Sequence, residues 1–171
     1  MEENRLFNNE QDPSIDREQF LANQKLMGDK MNLERQFKSG ADWFFWIAGL
    51  SLINTVIMLS GGGLNFVIGL GITQLVDGIA GNFGGIAKFI ALGFDLFVAF
   101  AFVGFGLLAR KRYNWAFILG MVFYAIDGLL FFLVFDLLAI GFHIFVLYCL
   151  FTGLRANNRI REFEQNSPMV M

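Results

Sequence analysis

Four residues that hydrocarbon disfavours stand inside long apolar runs of this chain: Asn54, Asp95, Asp127 and His143. A charged side chain at membrane depth costs several kcal/mol, so it finds a partner, loses its charge or serves a purpose. Two carboxylates at one site can share a proton, and an imidazole beside them can hold or pass one. Tyr124, about one helical turn before Asp127, can join the same face. Asp95, Asp127 and His143, with an amide oxygen, would also suit a divalent cation such as zinc or manganese. One ligand per helix leaves no spacing signature, so the metal reading rests on residue types alone. The plainer alternative is that each polar group makes an interhelical hydrogen bond that holds a bundle together. Asn54 and His143, taken singly, fit that alternative. Asp95 and Asp127 fit it less well, because intramembrane carboxylates are functional by default.

The elements that must position these residues follow from composition. Of 171 residues 56% are hydrophobic and 16% charged, a balance foreign to a soluble domain. The charges are segregated. Residues 1–42 hold 15 of the 28 Asp, Glu, Lys and Arg residues, and Trp43 to Ala109 holds only Asp77, Lys88 and Asp95. The net charge of −2 gives no general attraction to nucleic acid. The single cysteine, Cys149, excludes an internal disulfide and a cysteine-cluster metal site. The first forty or so residues are polar and do not read as a secretory signal; the apolar run from Ala41 would act as an uncleaved anchor. Gly69-Leu70-Gly71 lacks the third glycine and the preceding strand of a dinucleotide site.

A membrane helix needs about 20 mostly apolar residues. Spans are expected at about 41–60, 86–109, 114–134 and 136–154, and Leu64–Asn82 is ambiguous. The positive-inside rule resolves it. If that segment does not cross, twelve of the thirteen Lys and Arg residues fall on one side and only Lys88 on the other. If it crosses, the Arg110-Lys111-Arg112 cluster and the Arg155, Arg159 and Arg161 tail both move outside. The sequence therefore predicts an all-α integral membrane protein, a bundle of four transmembrane helices. Both termini are expected in the cytoplasm, with a bacterial inner or plasma membrane as location. Trp43, Trp46, Tyr113 and Trp115 fit an aromatic belt at the inner interface.

Between the first two spans, Leu64–Asn82 reads as an amphipathic helix on the outer face. Leu64, Ile68, Ile72, Leu75, Val76 and Ile79 form one stripe, with Thr73, Gln74 and Asp77 opposite. Asp77 is expected to face outer solvent. A re-entrant hairpin is the alternative, because glycines at 61–63, 81, 84 and 85 flank the segment. Residues 1–40 are expected to form a partly helical cytoplasmic arm. Asp12-Pro13 opens its helix, Phe20, Met27 and Met31 share one face, and Ser39-Gly40 breaks it before the first span. Such an arm would rest on the inner leaflet or dock a partner. Residues 155–171 form a cytoplasmic tail, disordered after Arg161.

Helix rise turns position into depth. Asn54, Asp127 and His143 fall about 9–10 Å below the outer boundary and Asp95 about 13 Å below it. Every span thus gives one polar residue to a shared layer. Asp127-Gly128 is also a turn dipeptide. A turn there would expose Asp127 but leave a span of about 13 residues, short of the ~17 that crossing needs. Asp136 is the better turn residue.

Three functions fit. The first is an accessory or interaction subunit of a membrane complex, in contact with the lipid bilayer and with further copies or a larger membrane partner. The second is a small transporter or channel subunit for protons, cations or a small solute, using Asp95, Asp127 and His143. The third is an intramembrane metal-dependent enzyme in which the same three residues act as acid, base or ligands. No nucleophile motif or His-rich signature supports the third, and no cofactor is called for.

Overall fold

The computed structural model describes residues 13–60, 70–81, 85–133 and 135–166. They form five helices and, among the described residues, no strand: α1 Pro13–Leu59, α2 Gly71–Gly81, α3 Gly85–Arg110, α4 Asn114–Leu133 and α5 Leu137–Asn166. Asp12, the 61–63 glycines, residues 64–69, Asn82 and Gly84, on which some expectations fall, lie outside the described residues. By length and composition α1, α3, α4 and α5 are long and apolar enough to cross a membrane. Helix is what lipid demands, because only internal hydrogen bonds can satisfy the backbone there.

The turns between spans carry their own chemistry. Arg112 ends α3 in the left-handed region, with φ 67°. The Arg112 N–H then reaches the Ala109 carbonyl and the Tyr113 N–H reaches that of Leu108, a Schellman-type close. Phe135 does the same after α4, with φ 54° and the Asp136 N–H on the Phe131 carbonyl. Asp136 then caps α5, its Oδ1 accepting the Ala139 N–H at 3.0 Å. The turn at Asp136 is therefore as expected, and α4 runs through Asp127-Gly128 without a break.

Two expectations fail at the basic end of the bundle. No break occurs at Ser39-Gly40, which α1 crosses as continuous helix. Gly40 lies against Gly153 of α5, where a Cβ on Gly153 would stand 2.7 Å from the Gly40 Cα. The glycine serves close backbone approach rather than a turn, as small residues do between membrane helices. Nor is the chain irregular after Arg161, since α5 continues to Asn166. Past Gly153, α5 stays against α1 and buries Ala156 and Ile160 near Phe37. The α3–α4 turn is fastened to this extension. Asn157 Nδ2 donates to the Arg112 carbonyl at 3.1 Å, Arg161 donates to the same oxygen, and the Arg112 guanidinium meets Glu164 at 2.8 Å.

Phe44 fills the middle, fully buried among Phe102, Phe105 and Phe117. Gly106 and Gly120 leave room for its ring and that of Phe45. Large apolar side chains such as Phe97, Phe100, Phe123 and Phe132 remain exposed, as a lipid-facing surface requires.

Candidate functional site

The polar residues gather at the end of the bundle away from Arg110–Arg112, around α2. With eleven residues α2 is about 16 Å long, too short to cross the membrane. Its orientation corrects the sequence reading. Thr73, Asp77 and Ala80 are buried against the bundle, while Leu75 and Ile79 are half exposed. Thr73 and Asp77 face the protein, whereas Leu75 and Ile79 face outward and Ile72 packs against the core. Asp77 is 6% exposed and does not face outer solvent.

Asp127 explains the placement. Its Oδ2 accepts the Gly71 N–H and its Oδ1 the Ile72 N–H, both at 2.8 Å. These are two of the first-turn donors that no helix can satisfy internally. A carboxylate from α4 thus caps α2 from outside, where the positive end of the helix dipole favours negative charge. A Cβ on Gly71 would come within 2.9 Å of the Phe131 ring, which would have to shift to admit it. Within α2, Thr73 Oγ1 returns a hydrogen bond to the Leu70 carbonyl at 2.8 Å.

His143 completes this half of the layer. Its Nδ1 lies 2.9 Å from the Ala139 carbonyl and its Nε2 lies 3.1 Å from Asp127 Oδ2. A carbonyl only accepts, so Nδ1 carries a proton and donates it. A proton also lies between Nε2 and Oδ2, because two bare acceptors would repel at that distance. The ring is held in place by stacking on Tyr124, with centroids 4.4 Å apart, and by Phe131 at 5.0 Å. Gly128 supplies the floor, for a Cβ there would press on the imidazole at 3.0 Å.

Asp95 belongs to a second group. It is fully buried, and Thr55 Oγ1 of α1 donates to its Oδ2 at 2.8 Å. The Asp77 carboxyl of α2 also lies close to it. Thr55 also stands 3.2 Å from the Ser51 carbonyl, one turn earlier on α1. Asn54 is buried at 7% exposure beside them on α1.

The five expected site residues therefore divide. Asp127, His143 and Tyr124 meet directly, Asp95 pairs with Thr55 and lies close to Asp77, and Asn54 is buried on α1. Sequence reasoning missed Thr55, Thr73, Asp77 and the Gly71 and Ile72 amides. One signal was available: the polar stripe of α2 needed partners, and every span offered one at similar depth. Among the described residues no three His, Cys, Asp or Glu side chains gather as metal ligands. The trio Asp95, Asp127 and His143 is not assembled into a ligand set.

The fold and site define a helical bundle with four membrane-length helices and one short inserted helix held by buried carboxyl groups. No family model, curated protein or solved structure matches the chain.

Proposed function

We propose that the chain is an accessory or interaction subunit of a membrane complex, and that its α1 arm docks a protein partner. The observation that carries this reading is the arm itself. The antiparallel partner α5 ends 13 residues past Gly153, level with roughly residue 27 of α1. From there α1 continues alone for about 20 Å. Every residue from 17 to 27 is exposed, including Phe20 at 60% and Met27 at 60%, and Met31 adds to their stripe. A lone helix of this length is marginal in water, so it needs something to cover its apolar face. The bilayer is a poorer candidate, because α1 runs without a break from its membrane-length segment into the arm. An apolar groove on a partner, read at Phe20, Met27 and Met31, suits the pattern.

Both termini lie in the cytoplasm in this reading, and the membrane is a bacterial inner or plasma membrane. The test is a native-gel comparison in mild detergent at native expression. The wild-type protein is expected in a complex larger than one chain. The triple variant Phe20→Ser, Met27→Ser, Met31→Ser is expected to leave it without a change in Tm. A lone wild-type monomer, or a complex that survives the triple variant, overturns the reading.

Transport of protons, cations or a small solute is the second reading. It is favoured by Asp95, whose Oδ1 receives no hydrogen bond although it is fully buried. Asp95→Asn and Asp127→Asn are each expected to reduce flux in proteoliposomes at least tenfold, on the order of 1.4 kcal/mol or more. Unchanged flux in both ends this reading.

A further inference from the structure

We propose that Asp77 and Asp95 form a buried acid pair that binds one exchangeable proton between α2 and α3. Asp95 is fully buried, and its two oxygens are unequal. Thr55 Oγ1 donates to Oδ2 at 2.8 Å, while no N–H or O–H of the described residues reaches Oδ1. The Asp77 carboxyl of α2 lies close to Asp95, near enough for one added hydrogen to bridge them. Two ionised carboxylates offer each other only acceptors, and in a site shielded from water their repulsion is large. One proton converts the contact into an O–H···O⁻ bond, the short, strong kind. Every acceptor-only contact is then resolved by a single added hydrogen.

The surroundings leave that proton as the available positive charge. From α1 the pair meets Thr55, which is neutral and which already donates. Ser51, one turn earlier on the same face, is fully buried and its Oγ has no partner among the described residues. It marks further polar space on the Thr55 side. Lys88, on α3, is exposed. Asp127 and His143 face the other end of α2 and are satisfied by each other and by the Gly71 and Ile72 amides. Burial pushes the Asp77 carboxyl above its ordinary value, with the Asp95 contact acting in the opposite direction. The sign follows from linkage. A carboxyl raised in the folded state binds a proton more tightly there than in the unfolded chain. Its contribution to stability is full below the ordinary carboxylate value and fades as pH rises through the raised one.

The inference does not depend on the α1 arm, so it stands or fails separately from the interaction reading. Infrared spectroscopy of the full chain in bilayers tests it through the carbonyl stretch of a protonated carboxyl group. At neutral pH one such band per chain is expected, shifted in heavy water because its proton exchanges. Asp77→Asn and Asp95→Asn are each expected to abolish it, and Asp127→Asn to leave it. Thr55→Val, which keeps both carboxyl groups and removes only the Thr55 donor to Asp95 Oδ2, is expected to move the band to higher frequency by removing a hydrogen bond. A spectrum without the band at neutral pH, or a band unchanged in both Asn variants and in Thr55→Val, overturns the proposal. Loss of the wild-type band on adding sodium chloride at constant pH overturns it in favour of a cation.

Discussion

Replacing Asp127 with alanine is expected to cost about 3–5 kcal/mol, the cost of breaking a buried pair by removing one partner. Three groups lose their partner at once: the Gly71 and Ile72 amides and the His143 ring at Nε2. No water is at hand to replace it, since Asp127 is 5% and His143 2% exposed. A loss of this size is a large fraction of the ~5–15 kcal/mol that holds a typical protein folded. Asp127→Asn is expected to lose less, because an amide oxygen still accepts one N–H while its NH2 opposes the other. His143→Phe should lose least, about 1–3 kcal/mol. The phenyl ring keeps the stacking on Tyr124 and Phe131, and the carboxylate keeps both backbone donors. The double variant should lose less than the sum, since both changes break the same contact. Thermal unfolding in detergent, scored by circular dichroism, measures all four. An Asp127→Ala protein as stable as wild type would show that α2 is held by something else.

Gly153→Leu is the second large effect. Its Cβ would lie 2.7 Å from the Gly40 Cα and 3.2 Å from the Phe117 ring. A ring can turn, but a backbone atom moves only with its helix. The whole α1–α5 pair must spread, which opens the packing of Phe37, Ala156 and Ile160 on one side and Phe44 on the other. Overpacking of a core typically costs about 1–3 kcal/mol, and a backbone-on-backbone clash belongs at the top of that range or above it. Gly153→Ala is expected to cost part of this. Gly49→Ala, with open space around its Cβ, is expected to be neutral or slightly stabilising through helix propensity. If Gly153→Leu melts at the wild-type temperature, the close crossing is not a constraint on this bundle.

Much of this architecture was legible in the sequence, because apolar run length and helix rise are strong signals. The four membrane-length helices appear where the runs are, and the turn at Asp136 falls where its side chain can cap α5. Glycine misled at Gly40. A glycine that permits helices to touch and one that ends a helix look alike until the partner is known, and here the partner is Gly153, over a hundred residues away. The reach of α5 to Asn166 was hidden for a related reason. Asn157 and Arg161 look like solvated tail residues until the Arg112 carbonyl they hold is in view.

The polar layer was legible as residue types and depth, but its pairing was not. Asp127 and His143 share a depth, Tyr124 shares a helix face with Asp127, and the three do meet. Asp95 was grouped with them by the same argument, yet depth carries no information about azimuth around the bundle. It meets Thr55 and lies close to Asp77 instead. The orientation of α2 was inverted because an amphipathic stripe reports only that two faces differ. Which face meets lipid depends on whether the bundle offers polar partners, and here Asp127 and Asp95 supply them.

The claim on which the rest depends is that α2 sits with Thr73 and Asp77 packed into the bundle and Leu75 and Ile79 toward lipid. Single spin labels on α2, in a Cys149→Ser background reconstituted in bilayers, test it through collisions with oxygen and with an aqueous nickel complex. Labels at Leu75 and Ile79 should collide with oxygen and not with nickel, and labels at Thr73 and Ala80 should be immobile and shielded from both. Mobile, nickel-accessible labels at Thr73 and Ala80 would contradict the account, since the polar stripe would then face water.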